Sequence, residues 1–210
     1  MNDLKEFTTH IWTLRHAPTL FTIQGRLQGT KDVDILPNKT DAYFNKIKIK
    51  RLPKPDVIIT SSLKRTKQTA KALKKYLNWP KTIPVIKKKN LNERSLGILE
   101  IKTHFQVKKL ILYGIITVSQ PLSYIEKLED LSEILETPHF KFVGIESMDE
   151  VRIRGEKALF EIASLYPNTK IVLINHYAVL KSQGLNPHKI CHLIISKDSQ
   201  GIFHKKITNC

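Results

Sequence analysis

The sequence predicts an α/β fold: a three-layer α/β/α sandwich built on a mostly parallel central sheet. Three observations lead there. Short runs rich in β-branched residues alternate with segments of helical period. Several of the runs are apolar throughout, the pattern of strands buried on both faces. The last two, Cys191–Ile195 and Gly201–Ile207, follow each other as a hairpin-like pair without a helix between. A chain of 210 residues, 41% of them hydrophobic, is long enough to bury such a core as one domain over residues 1–210.

The first strand is expected at His10–Leu14, with Arg15-His16 at its exit. The second, Asp56–Thr60, runs into Ser61-Ser62, and Ser62 is the candidate N-cap of a helix. Leu63, Thr66, Ala70, Leu73 and Leu77 recur at steps of three and four, giving that helix one inward stripe. A third strand is expected at Ile83–Ile86. The span 98–145 is the least regular part and is read as a helical excursion over the carboxyl edge of the sheet. Ser147-Met148-Asp149-Glu150 has capping-box spacing, and Val151, Gly155, Ala158, Leu159, Ile162 and Leu165 form the face of the helix behind it. Tyr166-Pro167-Asn168 stops that helix. The fourth strand, Ile171–Asn175, ends in His176.

Composition narrows the setting. The two cysteines, Cys191 and Cys210, make no readable disulfide framework and suit a reducing compartment. No stretch approaches the ~20 apolar residues that span a bilayer, and Met1–Glu6 lacks the basic start and apolar run of a secretory signal. A protein without a membrane span, in the cytoplasm, is the expectation. The formal net charge is +16, with lysine-rich stretches at Lys46–Lys54, Lys64–Lys75 and Lys87–Lys89. Such a field attracts nucleic acid, acidic membrane or small anions. The sequence has no zinc-finger spacing, no single-strand-binding motif and few aromatics interleaved with the lysines, which argues against nucleic acid. A solvated lysine-rich surface is the simpler reading, and an anionic substrate in a cationic pocket is compatible with it.

The residues that carry chemistry cluster at strand exits. Ligands of open α/β sheets bind at the carboxyl ends of strands, and there the chain places Arg15-His16. The arginine is a permanent cation whose planar fork suits phosphate or carboxylate oxygens. Gln24-Gly25-Arg26-Leu27-Gln28-Gly29 follows, with two glycines whose backbone can approach an anion closely. At the second strand exit Arg65 falls in the first turn of a helix, where dipole stabilisation does not explain a cation. Leu91-Asn92-Glu93-Arg94 offers a carboxylate as general acid or as partner for Arg94. Asn175-His176 repeats the strand-exit histidine.

This ordered set resembles the histidine phosphatases, the superfamily that includes the cofactor-dependent phosphoglycerate mutases. Arg15, His16, Thr19, Gly25, Arg26, Gln28 and Gly29 match the opening motif with its spacing intact. The stretch from Ser61-Ser62 to Ala70, the segment Leu91-Asn92-Glu93-Arg94 with Gly97, and Glu146-Ser147 and Asn175-His176 match the later motifs. The departures are Ala17-Pro18 for the usual Gly-Glu, Thr22 where asparagine is common, and Tyr177 in place of a small residue.

The resemblance implies a phosphoglycerate mutase-like fold and a metal-independent, cofactor-free phosphomonoester hydrolase. In that scheme His16 attacks phosphorus and becomes a phosphohistidine, which water then hydrolyses. Its attacking nitrogen must be unprotonated, so the other must donate a hydrogen bond. Arg15, Arg65 and His176 bind the phosphoryl oxygens. Glu93 protonates the leaving oxygen and then deprotonates the water. Thr22, Arg26, Gln28, Gly29 and Tyr177 surround the substrate, a small phosphorylated compound or a phosphoprotein. No metal ligand set is evident. Two alternatives stand beside this reading. One is a phosphomutase, disfavoured because 98–145 lacks the proline cluster and paired arginines that close over such a site in the family's mutases. The other is an inactive scaffold or anion-binding member of the fold.

Overall fold

The computed structural model describes residues 6–129, 131–137, 140, 142 and 144–210. In chain order it contains β1 (Phe7–Arg15), α1 (Leu20–Ile23), α2 (Pro37–Lys46), β2 (Val57–Thr60), α3 (Lys64–Tyr76) and β3 (Val85–Lys87). Three short helices follow, α4 (His104–Leu112), α5 (Leu122–Lys127) and α6 (Ser132–Leu135). The last part holds α7 (Met148–Leu165), β4 (Lys170–Asn175), α8 (Tyr177–Ser182), β5 (Cys191–Lys197) and β6 (Phe203–Asn209). Each expected strand is present within a few residues of its predicted span. The third begins late because Pro84 has no N–H to give the ladder, although its carbonyl accepts from Ile58.

The six strands form one sheet in the order β3-β2-β4-β1-β5-β6. The neighbours β3-β2, β2-β4 and β4-β1 are parallel, and β5 runs antiparallel to both β1 and β6. Burial on both faces explains the unbroken apolar runs. In β4, Ile171 and Leu173 join the cluster under α7 and α8, while Val172 and Ile174 join the one under α2 and α3. In β2, Val57 and Ile59 face the first cluster and Ile58 the second. Register then aligns the carboxyl ends: Arg15 pairs with Asn175, and Thr60 with Ile174. The strand exits of β1, β2 and β4 therefore open side by side.

The capping box ahead of α7 forms as its spacing implies. Glu150 N–H donates to Ser147 Oγ at 3.1 Å, and Ser147 N–H donates to Glu150 Oε2 at 2.8 Å. At α3 the structure corrects the sequence reading, because the cap position is Leu63 rather than Ser62. The first N–H groups find partners from outside the helix. Leu63 N–H donates to Ser61 Oγ at 3.1 Å, and Lys64 N–H to Asp32 Oδ1 at 2.6 Å. A remote carboxylate thus takes the place of a local cap.

The cysteines give a second correction. Cys191 and Cys210 are disulfide-bonded, their Cα atoms 4.0 Å apart. A two-cysteine sequence gives no sign of this pair, which arises because the start of β5 lies opposite the end of β6, with His192 beside Asn209.

The helices α4 to α6 gather around a cluster of their own that includes Leu96, Leu99, Val107, Ile111, Ile125, Leu131 and Ile134. Residues 130, 138, 139, 141 and 143 of this span lie outside the described residues. Isolated bridges join it to the rest of the chain at Arg26–Thr103 and Leu96–Ile145.

Candidate active site

His16 leaves β1 buried, 3% exposed. Its Nδ1 lies 2.7 Å from the carbonyl oxygen of Ala17, and a carbonyl can only accept, so Nδ1 carries the proton. Nε2 is then the bare nitrogen. Ala17 is held in turn by its N–H, which donates to Thr69 Oγ1 at 2.9 Å. Burial, followed by the charges of Arg65 and Arg15, pushes the His16 pKa well below the ordinary histidine value, against the opposing effect of the Ala17 hydrogen bond. The imidazole is neutral at physiological pH.

His176, fully buried at the exit of β4, packs its ring 5.3 Å from that of His16, centroid to centroid. Its Nε2 lies 2.7 Å from Ser61 Oγ, while its Nδ1 has no hydrogen-bond partner. Burial first, then Arg65, His16 and Arg15, push its pKa well below the usual value.

Arg65 is fully buried on the first turn of α3. Its terminal N–H groups donate to the carbonyls of Lys31 at 2.7 Å and Gly29 at 2.9 Å, and its Nε has no partner. Burial lowers its pKa to about 10, with Glu93 the largest opposing influence, so it stays cationic at neutral pH. Arg15 Nε and Gln28 Oε1 are also buried without a partner. Five buried side-chain polar atoms lack one among the described residues, and four of them belong to this group of strand-exit and loop residues; Thr13 supplies the fifth. Such atoms are costly unless a ligand satisfies them.

Above these residues lies a cavity of about 450 Å³ lined by Arg15, Glu93 and all five of the expected substrate-binding residues, Thr22, Arg26, Gln28, Gly29 and Tyr177. His16, Arg65 and His176 are not among its wall residues and lie buried below. Arg15 stacks on the Tyr177 ring at 5.1 Å. Thr22 Oγ1 accepts from Gln28 Nε2 at 2.9 Å and so fixes that amide. The Arg26 guanidinium is tied down by Ile101 O at 2.8 Å and Gln24 Oε1 at 3.0 Å, which makes it a strap to the excursion.

Glu93 is buried between two donors. Its Oε1 accepts from the N–H groups of Arg94 at 2.9 Å and Ala178 at 3.2 Å. The Arg94 side chain turns away from it and donates to the carbonyls of Leu135, Phe140 and Glu146, clamping the excursion beside the cavity. The guanidinium is therefore not the hydrogen-bond partner of the Glu93 carboxylate that the sequence allowed.

Gly29 explains the second loop glycine. Its φ is +53°, and a Cβ there would stand 2.2 Å from Glu100 Oε1. That carboxylate accepts from Thr30 N–H at 2.8 Å and Thr30 Oγ1 at 2.9 Å. Gly29→Ala should cost about 2 kcal/mol or more, from left-handed strain plus the displaced carboxylate. A thermal melt checks this; an unchanged Tm would refute it.

Three supporting residues have no role in the sequence reading, although Ser61 and Thr69 lie in the matched stretch from Ser61 to Ala70. Ser61 holds His176, and its position just past β2 was the available signal. Thr69 holds Ala17. Tyr43, on α2, donates its hydroxyl to the Arg15 carbonyl at 2.6 Å. It comes from the span Asp32–Lys54, which the fold turns into backing for the site: Asp34 Oδ1 accepts from Gln68 Nε2 and Asp32 caps α3. No local pattern marks Tyr43.

The two buried neutral histidines make a pH prediction. In the unfolded chain they protonate around 6.5, whereas in the fold they resist. Unfolded protein therefore binds more protons below 6.5, and stability falls as pH drops from there towards the lowered folded values. Each contributes a slope of up to about 1.4 kcal/mol per pH unit. His16→Asn/His176→Asn should flatten the loss measured by denaturant titration between pH 7.5 and 5; an unchanged slope would place the acid sensitivity elsewhere.

Among the described residues no group of three or more His, Cys, Asp or Glu side chains is placed to hold a metal ion, and no helix is long and apolar enough to cross a membrane.

The sequence profile of the histidine phosphatase superfamily (branch 1) matches residues 11–183. The chain belongs to that superfamily. It is 23% identical over 178 residues to the uncharacterized phosphatase PhoE of Bacillus subtilis, covering 82% of this chain and 74% of that one. It is 27% identical over 177 residues to a metal-independent phosphoserine phosphatase of Arabidopsis thaliana, covering 83% of this chain and 66% of that one. A phosphoglycerate mutase from Bacillus anthracis superposes with a TM-score of 0.71 at 15% identity, over 99% of this chain and 95% of its own, which speaks to the fold. As a histidine phosphatase superfamily member with phosphatase relatives, the chain has its motif residues brought together by the sheet.

Proposed function

We propose that this histidine phosphatase superfamily member is a metal-independent phosphomonoester hydrolase that works through a phosphohistidine on His16. The observation that carries the reading is the Ala17 carbonyl on His16 Nδ1, which leaves Nε2 as an uncharged nucleophile under two fixed cations. Attack of Nε2 on phosphorus forms the N–P bond as the P–O bond to the leaving alcohol breaks. Arg15 and Arg65 compensate the charge on the equatorial oxygens. His176 adds a neutral donor. Ser61 Oγ accepts the Leu63 N–H and can give its own proton to His176 Nε2, which places the histidine proton on Nδ1, the buried atom without a partner. Glu93, presented at the cavity wall, protonates the departing oxygen. It then takes a proton from the water that cleaves the N–P bond, releasing phosphate and restoring His16.

Hydrolysis is favoured over mutase chemistry by where the cations are spent. A mutase must hold a second phosphate, yet Arg26 and Arg94, the other arginines of the cavity wall, have Nε as well as terminal nitrogens committed to protein oxygens, whereas Arg65 keeps a buried Nε without a partner. The remaining wall includes Leu27, Leu96, Leu135 and Met148, suited to the carbon skeleton of a small phosphorylated metabolite. The test is hydrolysis of p-nitrophenyl phosphate in EDTA, with rapid acid-free quenching to trap a base-stable, acid-labile phosphoenzyme and map it by mass spectrometry. Label on His16 and activity untouched by EDTA support the proposal. Activity lost to EDTA, or turnover without label at His16, overturns it.

A further inference from the structure

Away from the active site, α2, α3 and the edge strand β3 enclose a groove of about 1180 Å³. Six lysines line it, Lys67, Lys71, Lys74, Lys75, Lys81 and Lys87, against one carboxylate, Asp41. Lys74 is structural: its Nζ donates to the carbonyls of Lys81 at 2.7 Å and Ile83 at 2.8 Å, tying the segment before β3 to α3. The other five make no ion pair among the described residues. Lys67, Lys71 and Lys75 stand four residues apart on α3, a step of about 6 Å along the axis. That matches the advance from one phosphate to the next along an extended strand. The groove is not merely cationic. Trp79 and Tyr76, both half-buried, line it together with Ile35, Pro37 and Val85, so an apolar floor lies between the charged walls.

We propose that this groove binds single-stranded nucleic acid, its bases against the aromatic floor and its phosphates along the α3 lysines. Base stacking on aromatics beside a basic track is how single strands are held without sequence preference. Duplex fits less well, because its bases are stacked inside and would leave the floor uncovered. A peptide strand added to β3 is also disfavoured: that edge is three residues long, follows Pro84, and ends in lysines. Along the sequence few aromatics are interleaved with the lysines, which argues against nucleic acid. The fold interleaves them by setting the turn after α3 and the approach to β3 across from the helix face.

The test uses the full chain and a fluorescein-labelled oligouridylate of about 16 nucleotides, with anisotropy read between about 50 and 200 mM salt and tryptophan emission followed in parallel. The wild type should bind with quenched emission and prefer this strand to a duplex of equal length, to inorganic polyphosphate and to oligoglutamate. In Lys67→Gln/Lys71→Gln/Lys75→Gln the affinity should fall at least tenfold, and the slope of log K against log salt should flatten by about 2, three lost phosphate contacts at roughly 0.7 each. Tm and p-nitrophenyl phosphate hydrolysis should not change, and because the groove shares no residue with the cavity, this outcome is independent of the hydrolase reading. No binding, a triple variant that binds as well as wild type, equal affinity for polyphosphate without a tryptophan change, or preference for oligoglutamate would each overturn the proposal.

Discussion

His16→Ala is expected to lower kcat for a phosphomonoester by about 10⁴-fold or more, the scale on which a covalent nucleophile is missed. The effect should be this large because no neighbour can replace it. Among the described residues His176 is the one other histidine whose ring lies against it, and its Nε2 is engaged with Ser61 while burial and two arginines hold it neutral. The Arg15 and Arg65 site survives the substitution, so vanadate or phosphate should still bind within about tenfold of wild type, and added imidazole should restore part of the turnover. Steady-state rates, ligand binding by calorimetry and phosphoenzyme trapping check the three parts. Residual activity within tenfold of wild type in a folded variant would mean that His16 does not carry the phosphoryl group.

Glu93→Gln comes second, and its signature is a dependence on the leaving group. Glutamine keeps an oxygen able to accept from the Arg94 and Ala178 N–H groups, so local structure should persist. What it loses is the proton. For an alkyl phosphate, whose alkoxide cannot depart unprotonated, kcat should fall by about 10²- to 10⁴-fold. For p-nitrophenyl phosphate, whose phenolate is stable in water, formation of the phosphoenzyme should slow far less, and a burst followed by slow hydrolysis should appear in stopped flow. Equal losses for both substrates in the burst phase would assign Glu93 a positioning role.

Part of the site is legible in the sequence because of where its residues fall. Arg15, His16, Arg65 and His176 each sit within two residues of a strand end or in the first turn of a helix. There, apolar runs and the sudden appearance of a cation or imidazole mark both the element and its exit. Glu93 sits in a turn-rich stretch, and its role was legible by resemblance to a family motif rather than by pattern. The Arg94 side chain was ambiguous for the same reason: its three carbonyl partners come from residues 41 to 52 positions away. Sequence shows only local cap candidates such as Ser62, whereas the acceptor that reaches Lys64 belongs to Asp32. The Cys191–Cys210 bond has no local signal because it follows from β5–β6 register alone.

What the sequence by itself determined was therefore the periodic part: six strands, the stripe of α3, the capping box of α7, and the ordered residues at the strand exits. These depend on neighbours within one or two turns, where side-chain period and backbone chemistry act directly. The tertiary structure alone decided which nitrogen of His16 carries the proton, that Tyr43 and Thr69 brace the β1 exit, that Arg26 and Arg94 are spent on carbonyls, and that Trp79 enters a groove of lysines. Each of these depends on a partner brought close by sheet order and crossover connections. Hydrogen bonds and charges act over a few ångströms, whatever the distance along the chain.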